Sequence, residues 1–323
     1  MKRIMKIGAY FVLVLLSFPV LATLSSQQQQ ADEAINQLYH RLSELPNHDM
    51  ENKLDFISAQ FLGKKYQLGA LGEGPDAQFD QEPRYRMDSF DCDTFVTTVL
   101  ALALALDKTG FQQCLAKIRY KEGRVDFLSR NHFVSLDWNP NNQKQGFLQD
   151  ITLNIKDQNN HSVSKLASAL IDKPSWYQHF TTQRIRLNPP NSKEQAKRLI
   201  ELKALGQQLT KKRSDIPYIP FSVLFDPEGH PNKFIFNQIP SSAIIEIIRP
   251  NWNLKEQIGT NLNVSHLGFV FRKNGIIYFR QASSTYGKVV DVPLINYLQA
   301  ARKSPTIKGI HIEIILPTAS CLH

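Results

Sequence analysis

The sequence has few cysteines and no metal-binding cysteine pattern. Only three occur among 323 residues, at Cys92, Cys114 and Cys321, and none forms a CxxC pair or clusters with histidine at ligand spacing. A zinc site of the usual type is therefore not expected. An odd number of cysteines leaves at least one thiol unpaired. If a disulfide forms at all, Cys114 with Cys321 is the pairing that leaves Cys92 free.

The sequence also lacks nucleic-acid-binding motifs and a run of apolar residues long enough to span a membrane. The formal net charge of +9 suits an anionic cell envelope as well as it suits nucleic acid. The apolar run Ile7–Leu21 is shorter than the ~20 residues that a spanning helix needs. Three basic residues precede this run and Val20-Leu21-Ala22 can serve as a cleavage site, so the pattern favours a secretory signal peptide at residues 1–22 over an uncleaved anchor. We therefore expect a periplasmic or secreted protein without stable membrane insertion.

Residues 23–323 are predicted to form a single domain, with an insertion at about residues 139–215. The length of residues 23–323 would also fit two modest domains. Apolar periodicity, capping residues and β-branched runs predict the elements that follow. Helices are expected at residues 27–46, 51–62, 94–106, 162–171 and 192–209, with Gly110 ending the third. Strands are expected at residues 132–138, 147–151, 243–248, 267–271, 276–281 and 310–315, and residues 68–86 form a long loop.

Cys92 is the candidate nucleophile. It lies in Asp88-Ser-Phe-Asp-Cys-Asp-Thr-Phe-Val96, directly before the most apolar internal segment, which predicts a buried helix. A thiol at a helix start faces free N–H groups, which favour the thiolate. Asp88, Asp91 and Asp93 oppose this effect unless they cap the helix, so a protonated histidine nearby would be needed. The alternative is that Cys92 is a small buried apolar residue.

The segment from Val264 to Ser284 predicts a β-hairpin, because Asn274-Gly275 separates two apolar runs. A two-residue loop pairs Lys273 with Ile276 and continues to Gly268 with Gln281. His266 and Gln281 then share a face about 7–8 Å apart, and Gly268 leaves room for the glutamine. The Gln281 carbonyl could accept one imidazole N–H and leave the other nitrogen for a thiol. The alternative is a buried core histidine and a surface glutamine.

Two further residues are candidate substrate contacts. His132 begins a predicted strand and could line the same cleft as Cys92. Tyr85 lies on the loop just before the cysteine and is a weaker candidate of the same kind. The other histidines fall in helical or polar loop segments and receive no role.

The two segments together resemble the NlpC/P60 superfamily of papain-like cysteine peptidases that act on the bacterial cell wall. The likeness rests on Phe-Asp-Cys-Asp-Thr-Phe-Val96 and on Ser-His-Leu-Gly-Phe-Val270 followed by Arg-Gln-Ala-Ser283. Within the superfamily, the N-acetylmuramoyl-L-alanine amidase-like branch is most similar. That likeness rests on Phe61-Leu-Gly-Lys-Lys-Tyr66, Ala70-Leu-Gly-Glu-Gly74, Asn131-His-Phe133 and Gly259-Thr260.

The resemblance implies an α+β fold with a papain-like core, in which the nucleophile helix packs on an antiparallel sheet. It assigns catalytic roles to Cys92, His266 and Gln281, although the third position is often a second histidine. It implies cysteine-dependent hydrolysis of peptidoglycan or muropeptides without a cofactor or metal, with the bond between N-acetylmuramic acid and L-alanine favoured. The alternatives are cleavage between D-glutamate and the diamino acid, a non-catalytic wall-binding module, and an acyltransferase on the same fold.

Overall fold

The described part of the chain begins with the first helix. The computed structural model of the protein describes residues 20–47, 49–316 and 321. The predicted signal peptide falls mostly on residues 1–19, which lie outside the described residues, so it stays a prediction. None of the described helices combines the length and the apolar character needed to cross a membrane.

The described residues form eleven α-helices, mainly in the first two thirds of the chain. Their bounds are α1 (Val20–Ser43), α2 (Met50–Ala59), α3 (Cys92–Leu104), α4 (Lys108–Arg119), α5 (Asn139–Lys144), α6 (Lys173–Gln178), α7 (Ser192–Gln207), α8 (Phe221–Leu224), α9 (Lys233–Asn237), α10 (Lys255–Ile258) and α11 (Leu294–Ala301). The expected helices at residues 27–46, 51–62, 94–106 and 192–209 correspond to α1, α2, α3 and α7, so these four predictions are confirmed.

Ten strands form one sheet that takes its central members from the second half of the chain. Their bounds are β1 (Lys65–Tyr66), β2 (Ser89–Phe90), β3 (Leu148–Asp150), β4 (Lys165–Asp172), β5 (Lys211–Pro220), β6 (Ile244–Leu254), β7 (Thr260–Lys273), β8 (Ile276–Ser283), β9 (Lys288–Pro293) and β10 (Gly309–Ile315). The order is β2-β1-β9-β8-β7-β6-β10-β5-β4, with β3 also paired to β10. All pairs are antiparallel except β1 with β2.

The predicted hairpin is present with the predicted register. Strands β7 and β8 pair Lys273 with Ile276 and Val270 with Phe279. Asn274 and Gly275 have φ values of 51° and 78°, the two positive values that a type I′ turn requires. The local sequence therefore determined both the turn and the pairing that follows from it.

Apolar residues cover both faces of the sheet. On one face, helices α1 to α4 pack with Phe269 and Phe271 of β7 in one core cluster. On the other face, α8, α9 and α11 pack with Val270 of β7 and Phe279 of β8. Helix α3 has almost no exposed side chain and contacts β7 through the rings of Phe95 and Phe269, whose centroids are 6.0 Å apart. This contact places the start of α3 beside β7.

Three predicted elements differ from the structure. Residues 134–138 form a π-helical turn that leads into α5, not a strand. Residues 165–172 form strand β4 instead of the expected helix, because they pair with β5 over eight residues and alternate between buried and exposed positions. Gly110 does not end α3, which stops at Leu104; it lies in α4, where the side chain of Asp107 caps its N–H group.

The segment predicted as an insertion contributes to the central sheet. Strands β3 and β4 and the beginning of β5 fall within residues 139–215. β3 and β5 both pair with β10, in the interior of the sheet order. The division into one domain with an insertion stays a prediction.

Candidate active site

Helix α3 begins at Cys92 and is fixed there by a capping box. The Asp91 carboxylate accepts a hydrogen bond from the Thr94 N–H at 2.8 Å, and the Thr94 hydroxyl accepts one from the Asp91 N–H at 2.9 Å. The other Asp91 oxygen accepts from the Gly69 N–H at 2.8 Å, which ties the long loop before α3 to the helix start. The expectation that one of the aspartates caps this helix is confirmed for Asp91.

The Cys92 thiol is free and lies against strand β7. Cys114 and Cys321 form a disulfide, so the pairing that leaves Cys92 reduced is the one present. The backbone N–H groups of Leu267 and Asp93 lie close enough to the Cys92 sulfur to lower its pKa. Leu267 directly follows His266 in sequence. A thiol from the first half of the chain therefore reaches the strand that carries the candidate base.

The thiol is not stabilised as a thiolate, contrary to the expectation from its place at a helix start. Burial raises the pKa of Cys92 well above its ordinary range, and the Asp91 and Asp93 carboxylates raise it further. The N–H groups of Leu267 and Asp93 offset only part of this effect. Asp88 does not contribute, because it is exposed and paired with Arg86 at 2.7 Å. At neutral pH the Cys92 side chain is therefore a neutral thiol.

The His266 imidazole is held by Gln281. Its Nε2 atom donates a hydrogen bond to the Gln281 side-chain oxygen, as the hairpin register predicted. A carbonyl oxygen can only accept, so Nε2 carries the proton and Nδ1 carries the lone pair. Gln281 is 1% exposed, and its amide nitrogen has no hydrogen-bond partner among the described residues. The glutamine is therefore a buried orienting residue and not a surface residue.

Burial lowers the pKa of His266 to about 4, while the Gln281 hydrogen bond and the Asp91 charge raise it in part. The imidazole is therefore neutral near pH 7, so the protonated histidine expected beside the thiol is absent. A neutral thiol and a neutral imidazole are suited to general-base catalysis, in which the proton moves as the sulfur attacks.

Gly268 provides room for a different neighbour than expected. A Cβ at this position would lie 2.6 Å from the Arg280 carbonyl oxygen and 2.7 Å from the Phe279 ring. Phe279 in turn packs on His266, with ring centroids 5.9 Å apart. The space beside Gly268 is therefore filled by the Phe279 ring, which packs on the imidazole, and not by Gln281.

A cavity of about 160 Å³ adjoins the start of α3. Asp91, Asp93, Arg130 and His132 are among the residues that line it. Burial raises the pKa of Asp93 to about 6, the Asp91 charge raises it further, and nearby arginines oppose this. His132 is half-buried against Phe127 and Trp176, and burial lowers its pKa well below the ordinary value. The position of His132 keeps it available as a substrate contact.

Tyr85 lies in the core and not in this cavity. It is 3% exposed, packs on Phe111 at a centroid distance of 5.2 Å, donates a hydrogen bond to Asp32 at 2.5 Å and accepts one from Gln112 at 2.6 Å. These contacts hold the middle of α1 near α4. The structure therefore brings Cys92, His266 and Gln281 into one region, places His132 in the cavity beside Asp91 and Asp93, and leaves Tyr85 outside both.

Three side chains near the reactive pair were not predicted from the sequence. Burial raises the pKa of Tyr66 and of Tyr297 to about 12. Both side chains also lie close enough to Cys92 for a charge on its sulfur to raise their pKa. The Tyr297 ring lies 6.3 Å from that of His266. Arg249 lies within electrostatic reach of Tyr297. Tyr66 ends one of the segments that carry the family resemblance, whereas no local signal marks Tyr297 or Arg249.

One group within the described part of the chain could offer three ligands to a metal ion. Asp226, Glu228 and His230 place ligand atoms within 4.8 Å of one another, and all three are exposed. They lie in the loop between α8 and α9, and their contacts are local, such as that of His230 with Asp226 at 2.9 Å. They are not part of the Cys92 region.

Comparison with known proteins identifies relatives over most of the chain. The sequence profile of the AmiA-like family, described as N-acetylmuramoyl-L-alanine amidase-like, matches residues 56–307. A crystal structure of a Legionella pneumophila protein is 54% identical, with a TM-score of 0.88, over 91% of this chain and 97% of that one. An N-acetylmuramoyl-L-alanine amidase from Bacteroides uniformis is 25% identical, with a TM-score of 0.56, over 82% of this chain and 98% of that one. No curated protein matches significantly. The chain belongs to the AmiA-like family of N-acetylmuramoyl-L-alanine amidase-like proteins.

Proposed function

We propose that this protein is a cysteine amidase that hydrolyses the bond between N-acetylmuramic acid and L-alanine in peptidoglycan or muropeptides. Cys92 is the nucleophile, His266 the general base and acid, and Gln281 the residue that orients the imidazole. Membership of the AmiA-like family supports an amidase that acts on peptidoglycan. The mechanism is our inference from the site.

The observation that carries the mechanism is the placement of the free thiol against the strand of the oriented imidazole. The N–H of Leu267 lies close enough to the Cys92 sulfur to lower its pKa, and the preceding residue, His266, is fixed by Gln281. The free lone pair of His266 is on Nδ1, which can accept a proton. Covalent catalysis requires a nucleophile, a base that takes its proton and a third group that orients the base.

The reaction would proceed in two steps. The Cys92 thiol gives its proton to His266 Nδ1 as the sulfur attacks the lactyl carbonyl carbon, and the imidazolium then protonates the departing amine of L-alanine. Water, deprotonated by His266, hydrolyses the resulting thioester and regenerates the thiol. The Cys92 N–H stabilises the oxyanion, since N–H groups in the first helical turn lack intrahelical partners.

The proposal includes the fold type and the compartment suggested by the sequence. A buried helix that begins at the nucleophile and packs on an antiparallel sheet is the arrangement of a papain-like NlpC/P60 core. A disulfide between Cys114 and Cys321 is compatible with the periplasm or the cell exterior, where disulfides persist.

The test is digestion of purified muropeptides by the wild type and by Cys92→Ala, with products identified by mass. Release of intact stem peptides by the wild type alone supports the amidase. Truncated stem peptides would instead indicate an endopeptidase that cuts after D-glutamate, and products carrying a new acyl–amine bond would indicate a transferase. A double variant with alanine at residues 114 and 321 is the matched control, because it removes two cysteines without touching the thiol at residue 92.

Binding of muropeptides with no turnover in the wild type would contradict the proposal and leave a wall-binding module. Equal turnover by wild type and Cys92→Ala would also contradict it, because the thiol would then have no part in the reaction.

A further inference from the structure

Arg249 differs from Arg280 and Arg130, two arginines near the sheet that are paired with carboxylates. Arg280 is paired with Asp55 and Asp291, each at 2.7–2.8 Å. Arg130 is paired with Glu73 and Asp80. Within the described residues Arg249 has no carboxylate partner, and its Nε atom is shielded from solvent without a hydrogen bond. An unpaired, partly desolvated guanidinium is unfavourable unless another molecule pairs with it.

The position of Arg249 relates it to the catalytic histidine. On strand β6, Ile247 is directly opposite His266 of β7. Arg249 follows Ile247 by two residues, but the register shifts on both sides of Ile248, so strand alternation does not fix its distance from His266. Tyr297 connects the two, because its ring lies 6.3 Å from His266 and its hydroxyl is within electrostatic reach of Arg249 and Cys92.

Trp252 orients the guanidinium. The Arg249 Cζ atom lies 4.2 Å from the centre of the Trp252 ring, a close cation–π contact. The sheet register shifts between Ile248 and Trp252, and the extra residues of β6 bring the indole under the arginine. The two Nη atoms, unlike Nε, are not shielded from solvent, and their N–H edge matches the two oxygens of a carboxylate.

We infer that Arg249, held by Trp252, binds a carboxylate of the peptide part of the substrate next to the Cys92–His266 pair. This inference rests on the proposed function and specifies its substrate further. The preferred substrate has a peptide part with a free carboxylate, and this carboxylate lies on the side of the scissile amide bond that faces β6. Arg249 is thus a residue that determines specificity and takes no part in bond cleavage.

The test compares muramoyl peptides that are identical except that one carboxylate at a time is free or converted to a carboxamide. At one of the carboxylate positions of the peptide, the wild type should prefer the free carboxylate over the carboxamide by about 10- to 100-fold in kcat/KM. This is the preference expected for one charged hydrogen-bonded contact. Arg249→Met should lose this preference mainly through KM, and Arg249→Lys should retain part of it. Trp252→Leu should raise KM for the free carboxylate less than Arg249→Met.

Arg302→Met is the matched control. Arg302 also stacks on an aromatic ring, that of Phe225 at 5.4 Å, but it follows α11 and packs beside the core at the other end of that helix. This variant should keep the wild-type preference. Thermal unfolding of each variant checks that the loss of preference is not a loss of fold.

A binding measurement separates this inference from the proposed function. Calorimetric titration of Cys92→Ala and of Cys92→Ala with Arg249→Met, using free and amidated peptides, reports recognition without turnover. Preference for the free carboxylate that disappears with Arg249 supports the subsite even if the wild type cuts another bond. Equal binding of both peptides by the Cys92→Ala protein, or a preference that survives Arg249→Met, would overturn it.

Discussion

The Nε2 proton of His266 is donated to the side-chain oxygen of Gln281, a residue on the next strand that solvent hardly reaches. This contact determines which imidazole nitrogen carries the lone pair.

The first prediction tests this role of Gln281. Gln281→Leu should lower kcat roughly 10- to 100-fold with little change in KM, because the imidazole loses one hydrogen bond and its fixed tautomer. Gln281→His should restore much of the activity, since a second imidazole can accept the same proton. Steady-state kinetics on muropeptides measures both, and a larger effect on KM than on kcat would contradict the role.

The second prediction concerns the dependence of kcat/KM on pH. The rate requires a neutral imidazole, and burial lowers the pKa of His266 to about 4, so activity should fall only as the pH drops through about 4. Because burial and two carboxylates raise the pKa of Cys92, no loss of activity should follow from thiol ionisation up to about pH 9. Thiolate absorbance near 240 nm should be absent at pH 7. A thiolate–imidazolium pair would instead show that absorbance and would lose activity on the alkaline side as the imidazolium loses its proton.

The third prediction uses the carboxylates beside the thiol. Asp93 raises the pKa of Cys92, so Asp93→Asn should lower that pKa and speed alkylation of the thiol by iodoacetamide at pH 8. Each unit of pKa would change the thiolate fraction about tenfold. Asp88→Asn is the matched control, because Asp88 is exposed and paired with Arg86 and should leave the rate unchanged. Equal alkylation rates for wild type and Asp93→Asn would contradict the electrostatic account.

The fourth prediction separates the disulfide from the reactive thiol. Cys114 and Cys321 are 207 residues apart in sequence, so their bond restricts the unfolded chain over a long loop. Replacing both with alanine should lower the free energy of unfolding by roughly 2–5 kcal/mol, as measured by urea denaturation. Activity at a temperature where the variant stays folded should be unchanged. Loss of activity in the fully folded variant would show that the bond also shapes the site.

Local sequence predicted the parts of the site that depend on neighbours in the chain. The turn at Asn274-Gly275 fixed the register of β7 and β8, and that register brought His266 to Gln281. Asp91 was recognised as a possible cap because capping depends on residues three positions apart. These features are determined within about twenty residues, where propensity and pattern are informative.

The rest depended on contacts between distant segments. Residues 165–172 consist largely of alanine, leucine and lysine, which favour a helix, yet pairing with β5 makes them a strand. The sequence identified the opposing effects of the helix start and of Asp91 and Asp93 on the thiol pKa, but the largest effect on Cys92 and on His266 is burial, which depends on both halves of the chain. The lack of a carboxylate partner for Arg249 among the described residues could not be predicted, because it depends on where the acidic side chains lie.

The strand nearest the C-terminus has a consequence for the order of assembly. β10 lies between β6 and β5, so it joins the strands of the His266 hairpin to the β4–β5 pair. Until residues 309–315 have been synthesised, the sheet remains in two parts with exposed edges, and the long-range pairing that unites them is intrinsically slow. A nascent chain that already contains Cys92, His266 and Gln281 would therefore hold all three reactive groups without a rigid sheet to align them. The protein should acquire activity only after its final strand has been inserted.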